Sequence, residues 1–187
     1  MDSASKVRLI EIIKEKSLII KKEGKFKLAS GGESNFLFDM KMTTLDPEGS
    51  NLISEGIMGI LKDEDVDYIG GLESGAIPIV ASVCEKSYLM HKPIQGFFVR
   101  KTAKERGSMK LIEGNFRDNS KVILLDDVTT KGGSVLTAAN EVRRLGCEVD
   151  KVITVVDRLE GAKEKLASNN IALISLLTKN DFNIKDI

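Results

Sequence analysis

The 187-residue chain has little of what metal and redox sites are usually made from: two cysteines, Cys84 and Cys147, and one histidine, His91. The cysteines lie far apart and have neither a metal-ligand nor a redox-pair spacing. Each reads as a small apolar packing residue, and a reducing, cytoplasmic compartment is the economical expectation. His91 stands in the turn His91-Lys92-Pro93, away from every motif below, and reads as a surface residue. Net charge is absent too, since 28 Lys and Arg balance 28 Asp and Glu. That argues against a nucleic-acid footprint, which shows as a basic domain or stripe, but leaves room for a local basic cluster. No apolar run reaches membrane-spanning length, and Met1 to Lys22 lacks the apolar centre and cleavage site of a signal peptide. A soluble single domain with a full core suits this length.

What is present is an alternation of helix and strand signals. Val7, Leu9, Ile10, Ile12 and Ile13 recur near helical spacing, so residues 4–16 read as an amphipathic helix. Gly24 to Met40 reads as a hairpin-like insertion, with Ser30-Gly31-Gly32 as its turn. Asp46-Pro47-Glu48 starts a helix that runs to about Lys62. Strands are expected at Tyr68–Leu72, Gln95–Val99, Lys121–Asp127, Val149–Asp157 and Ile171–Leu177. Helices are expected between them at 75–85, 132–145 and 160–168, the second stopped by Gly146. Such alternation implies right-handed βαβ units and a mainly parallel sheet in an α/β fold.

The most telling segment runs from Lys121 to Ser134. Four apolar residues, Val122 to Leu125, lead into Asp126 and Asp127, then into a hydroxyl- and glycine-rich turn that opens a helix. A continuous apolar run suits a strand buried on both faces. Ligands of open α/β sheets bind beyond the carboxyl ends of such strands. Paired carboxylates suit neighbouring sugar hydroxyls, and a Gly-rich loop at a helix N-terminus suits a phosphate. A ribose-phosphate site follows. A Walker loop does not fit, because Lys131 precedes the glycines. The second constellation, Gly96 to Lys110, carries Arg100, Lys101, Lys104, Arg106 and Lys110 against one acid. So charged a segment reads as a mobile surface loop with Gly107 as pivot, its cations suited to pyrophosphate.

Asp126, Asp127, Thr130, Gly132 and Ser134 fit the phosphoribosyl-pyrophosphate signature of type I phosphoribosyltransferases. Arg100-Lys101-x-x-Lys104-x-x-Gly107 resembles the catalytic loop of orotate phosphoribosyltransferases. Phe26-x-Leu28-x-Ser30-Gly31 with Phe36 and Phe38, Gly70-Gly-Leu-Glu-x-Gly75-x-Ile-Pro78 and Val156-Asp157-Arg158 resemble further blocks of that family, in the same order. The resemblance implies a Rossmann-like type I phosphoribosyltransferase fold in a single domain. Its parts would be a small N-terminal hood at about 17–45, a core at 46–187 and a mobile catalytic loop at about 100–114. It implies a homodimer with active sites shared across the interface, Mg2+ carried by 5-phosphoribosyl 1-pyrophosphate rather than by protein ligands, and no nucleic acid or membrane partner.

The residue roles also come from the resemblance. Asp126 and Asp127 would meet the ribose hydroxyls, and Val128, Thr129, Thr130, Lys131, Gly132, Gly133 and Ser134 the 5-phosphate. Arg100, Lys101, Lys104 and Arg106, with Ser74 and Gly75, would hold the pyrophosphate; Arg100, Lys101, Lys104 and Asp127 are the catalytic candidates. Thr130 and Arg158 would contact orotate, and Leu37 and Phe38 would cover the base. Three departures stand out: Arg106 where many members have His, and Ala29 and Gly75 where many have Lys. Lys41 or Lys27 is a candidate replacement charge. The alternatives are a phosphoribosyltransferase for another base and a non-catalytic regulator that binds the same sugar phosphate.

Overall fold

The computed structural model describes residues 1–27, 32–102 and 111–184. In chain order come α1 (Ser3–Lys16), β1 (Leu18–Ile20), β2 (Phe26–Lys27), β3 (Glu33–Ser34), β4 (Phe36–Phe38), α2 (Lys41–Thr44) and α3 (Pro47–Leu61). The core continues with β5 (Tyr68–Gly70), α4 (Ala76–Leu89), β6 (Gln95–Val99), β7 (Ile112–Gly114), β8 (Lys121–Thr129), α5 (Gly133–Arg143), β9 (Glu148–Asp157), α6 (Ala162–Ala167) and β10 (Ala172–Thr178). A 3-10 turn, Lys179–Phe182, follows.

Six strands form the main sheet in the order β10-β9-β8-β5-β6-β7. All neighbours pair parallel except β6 with β7, which is antiparallel. From β5 the chain moves outward to β6, then returns to place β8 on the other side of β5. The strand order therefore reverses between β5 and β8, and the crevice above that reversal is where open α/β sheets bind ligands. This is the expected α/β fold with a mainly parallel sheet.

The apolar run of β8 is explained by its two covered faces. Ile123 and Leu125 join a core with α1, α3 and α4, while Val122 and Leu124 join a second core with α5 and α6. Helix starts follow local chemistry. Asp46 caps α3 by accepting the Gly49 N–H at 2.9 Å, with Pro47 at the first helical position. Gly146, at φ +76°, ends the chain's run from α5 in the left-handed conformation that glycine tolerates best.

The N-terminal region forms the expected hairpin and adds a strand pairing outside it. Phe26–Lys27 pairs with Glu33–Ser34, but Phe36–Phe38 pairs antiparallel with Leu18–Ile20. Ile19 and Ile20 are exposed, so β1 lacks the alternation that marks a half-buried strand. Strand β7 lies inside the stretch expected to be loop, and α4 runs four residues past Glu85, to Leu89.

Two glycines show how tightly the rim of β5 is packed. A Cβ on Gly71 would lie 2.2 Å from the Leu125 carbonyl oxygen and 2.7 Å from Ala76 Cβ, whereas Gly133 has nothing within 4 Å. Gly71→Ala is expected to cost at least about 2 kcal/mol, since neither backbone can yield cheaply. That corresponds to a fall in melting temperature of roughly 5 °C, against almost none for Gly133→Ala. Equal thermal melts for the two variants would contradict this packing.

Candidate active site

Asp126 and Asp127 sit at the carboxyl end of β8, at the crevice. Asp126 is 9% exposed, and its Oδ2 accepts the Thr129 hydroxyl at 2.8 Å. Burial, then the charge of Asp127, push its carboxyl up to about 7. Asp127 is also raised by burial, against the Val128 N–H at 2.9 Å and the positive field of Lys41. Lys41 is itself ion-paired with Asp39 Oδ1 at 2.7 Å. Two adjacent carboxylates with so little solvent repel each other when both ionise. Hydroxyl donors from a diol would relieve that strain. Lys41 is therefore the cation whose field reaches the acid pair, whereas Lys27 lies exposed in β2.

Beyond the acids the chain turns through Gly132, at φ +71°, into α5. No side chain caps this helix. Its first-turn N–H groups face the same rim, where a helix N-terminus favours an anion. Thr130 is partly exposed there, and Lys131, Gly133 and Ser134 are exposed.

The other motif blocks converge on this point. A Cβ on Gly75 would fall 2.5 Å from Asp127 Oδ1, so the loop after β5 lies directly against the acid pair. The Glu73–Ser74 peptide in that loop is cis. Leu72 bridges to Val99, Glu73 N–H donates to Val99 O at 2.8 Å, and Glu73 Oε1 accepts the Lys101 N–H at 2.8 Å. Arg100 and Lys101 are thus tied to the 71–75 loop. Arg100 N–H also donates to Leu111 O at 2.8 Å, which closes the base of the basic segment. Lys104 and Arg106, like Ala29, lie outside the described residues.

From β9, Arg158 N–H donates to Thr129 O at 3.0 Å and joins the acid turn from the other side. Its side chain is 2% exposed, with the guanidinium 4.2 Å above the Phe36 ring. Nη2 donates to Ser34 Oγ at 3.0 Å, and Nε lies 2.8 Å from Glu160 Oε1. Phe38 does not share this place. It is 6% exposed and packs edge-on against Phe182 at 5.0 Å, so its ring lies in the core. The aromatic surface beside Arg158 is that of Phe36; Leu37 is partly exposed. Nothing local in the sequence marks Ser34 and Phe36 as site residues, because they lie more than 120 positions from Arg158. Nor is Glu160 marked, because it reads as the first residue of a helix that in fact begins at Ala162.

Among the described residues, no cluster of three or more His, Cys, Asp or Glu could hold a metal ion, and no helix is long and apolar enough to cross a membrane.

An acid pair, an uncapped helix N-terminus and two basic residues around one crevice define a site for a phosphorylated sugar. Comparison with known proteins narrows the class. No family model matches the chain. It is 42% identical over 184 residues to an orotate phosphoribosyltransferase of Bradyrhizobium sp. (strain ORS 278), covering 96% of this chain and 98% of that one. It is 46% identical over 178 residues to the orotate phosphoribosyltransferase of Methanocaldococcus jannaschii, covering 95% and 96%. Among solved structures, it superposes on Mycobacterium tuberculosis orotate phosphoribosyltransferase in complex with 5-phospho-alpha-D-ribosyl 1-diphosphate. That match has a TM-score of 0.76 at 30% identity, over 98% of this chain and 94% of that one. A phosphoribosyltransferase from Corynebacterium diphtheriae gives a TM-score of 0.81 at 33% identity, covering 97% and 99%. The chain belongs to the orotate phosphoribosyltransferase family.

The raised carboxyl of Asp126 has a signed consequence for stability. A group whose pKa rises on folding, here from 3.8 to about 7, binds its proton more tightly in the folded state. Its contribution is complete below the unfolded value and is lost as pH rises through about 7. Asp126→Asn removes the buried charge, so it should melt several degrees above the parent protein near pH 8. The gap should close near pH 4. A gap that widens on acidification would contradict the burial of this acid.

Proposed function

We propose that the chain transfers the phosphoribosyl group of 5-phosphoribosyl 1-pyrophosphate to orotate. The products are orotidine 5-monophosphate and pyrophosphate, a step of de novo pyrimidine (UMP) biosynthesis. The observation that carries this reading is the meeting of four strand ends at one crevice: Gly71–Gly75 after β5, Arg100 and Lys101 after β6, Asp126 to Ser134 after β8, and Arg158 after β9.

The roles follow from charge. Asp126 and Asp127 accept from the ribose hydroxyls and fix the sugar. The N–H groups and hydroxyls of residues 128–134 take the 5-phosphate. As the bond at ribose C1 breaks, positive character grows on the sugar and negative character on the departing pyrophosphate. Arg100 and Lys101, with Lys104 and Arg106 from the same segment, stabilise that leaving group with charge already in place. Arg106 cannot exchange a proton near neutrality, so its part is electrostatic. The buried Arg158 guanidinium meets the orotate carboxylate, with Thr130 beside it. Orotate brings its own nucleophilic nitrogen, and no covalent protein nucleophile is needed.

Mg2+ suits this site as an ion that arrives with the substrate. It dehydrates reluctantly and is often bound mainly through substrate phosphates, so the pyrophosphate would hold it while Asp126 and Asp127 accept from the ribose hydroxyls. Bound to the pyrophosphate, it would add Lewis-acid stabilisation of the leaving group.

The N-terminal strands act as a hood over the base, and the segment between Arg100 and Leu111 as a loop that excludes water during transfer. The working unit is a homodimer in the cytoplasm. In support, α4 ends in three consecutive exposed apolar side chains, Tyr88 at 73%, Leu89 at 63% and Met90 at 52%. Exposed apolar patches of this kind favour association.

The direct test follows orotate loss by ultraviolet absorbance with and without 5-phosphoribosyl 1-pyrophosphate and magnesium, beside a panel of uracil, adenine and hypoxanthine. Turnover confined to orotate is expected. Preference for another base, or binding of the sugar phosphate without turnover, would overturn the assignment. Lys101→Ala should lower turnover at least about tenfold, the effect of ~1.4 kcal/mol lost in the transition state. An unchanged rate would remove Lys101 from the site. Asp127→Asn should chiefly weaken use of the sugar substrate, seen as a raised KM for 5-phosphoribosyl 1-pyrophosphate.

A further inference from the structure

We propose that Glu160 is a positioning residue for the base site. It holds the Arg158 guanidinium in the plane and place from which it meets a substrate carboxylate. This rests on the reading of Arg158 as the orotate contact.

Arg158 is almost wholly buried, and a buried charge without a partner is costly. Its backbone is anchored first, by donation to Thr129 O at 3.0 Å. The side chain is then held from several directions. Phe36 of β4 lies under the guanidinium plane at 4.2 Å, and Ser34 of β3 accepts from Nη2 at 3.0 Å. Glu160 supplies the only negative charge described at the group, 2.8 Å from Nε. Nε makes no aligned hydrogen bond and is buried, so the ion contact to Glu160 is what compensates it.

The chain bends locally to bring Glu160 there. Between Arg158 and Glu160 stands Leu159 at φ +58°, a left-handed conformation unfavourable for a leucine and half-exposed besides. The turn is secured by Asp157 Oδ1, which accepts the Leu159 N–H at 2.8 Å. A strained backbone persists where its surroundings over-determine it, and such residues gather at ligand sites. Here the bend returns an acid onto the cation two residues before it. Recognition of a carboxylate by a guanidinium depends on a planar, bidentate fit, so a fixed fork discriminates better than a free one. A mobile Arg158 would retain its charge and lose that discrimination.

Steady-state kinetics of the full-length enzyme and its Glu160→Ala, Glu160→Gln and Arg158→Lys variants test this. Glu160→Ala is expected to raise KM for orotate about tenfold while leaving KM for 5-phosphoribosyl 1-pyrophosphate within about twofold. Glu160→Gln, which keeps an oxygen in place but not the charge, should fall between it and the parent. The sugar-substrate KM serves as the internal control for folding, and a rise in both KM values together would mark a merely structural role and overturn the proposal. A large rise in orotate KM for Arg158→Lys, with Glu160→Ala unchanged, would overturn the positioning role alone. An unchanged orotate KM for Arg158→Lys would remove the Arg158 reading and this inference with it.

Discussion

The arrangement depends on two carboxylates forced together at the edge of a parallel sheet. Asp126 and Asp127 follow Leu125, the last of four consecutive apolar residues in β8, and the register of β8 with β5 and β9 fixes where they emerge. Asp126 is buried and Asp127 half-buried, and burial raises both carboxyls, that of Asp126 to about 7. Buried acceptors in this condition are poised for donors. A vicinal diol supplies two hydroxyls in the geometry that two neighbouring carboxylates can accept. The charge balance around them is local: Lys41 opposes the accumulation of negative charge, and Asp39 holds Lys41 in place.

Around this pair the remaining contacts act as spacers. Gly75 has no side chain because the Asp127 carboxylate occupies the space a Cβ would need, and Gly71 because the Leu125 carbonyl does. Glu73 ties the same loop to the Lys101 backbone. Arg100 and Lys101, the acid pair and the N-terminus of α5, to which the proposed reaction assigns the leaving group, the sugar and the phosphate, therefore share one rim even though they come from different strands. Arg158 extends that rim toward the N-terminal strands through Ser34 and Phe36, so the core and the N-terminal region meet at its guanidinium.

The legible parts of the sequence were those with strong local signals. The apolar run of β8 ending in two acids, the Asp46-Pro47 helix start and the Gly146 stop each carry their structure within a few residues. What escaped depended on distant partners. Strand β1 has an exposed pair, Ile19 and Ile20, and exists because β4 pairs with it. Strand β7 is short and pairs back on β6. Phe36 and Phe38 look equivalent in sequence, but alternation does not separate them. Phe182, more than 140 residues away, draws Phe38 into the core, while Arg158 stacks on Phe36. Glu160 looked like the start of α6, yet the helix begins at Ala162 and the acid turns back onto Arg158.

The most direct measurement is a carbon-detected NMR titration of the aspartate carboxyl groups, in the free enzyme and with 5-phosphoribosyl 1-pyrophosphate bound. One carboxyl resonance, missing from Asp126→Asn, should titrate close to neutrality in the free enzyme, and the sugar phosphate should displace the signals of both Asp126 and Asp127. Titration of every aspartate near the ordinary value of about 4, with neither signal responding to the ligand, would contradict a buried acid pair that grips the ribose.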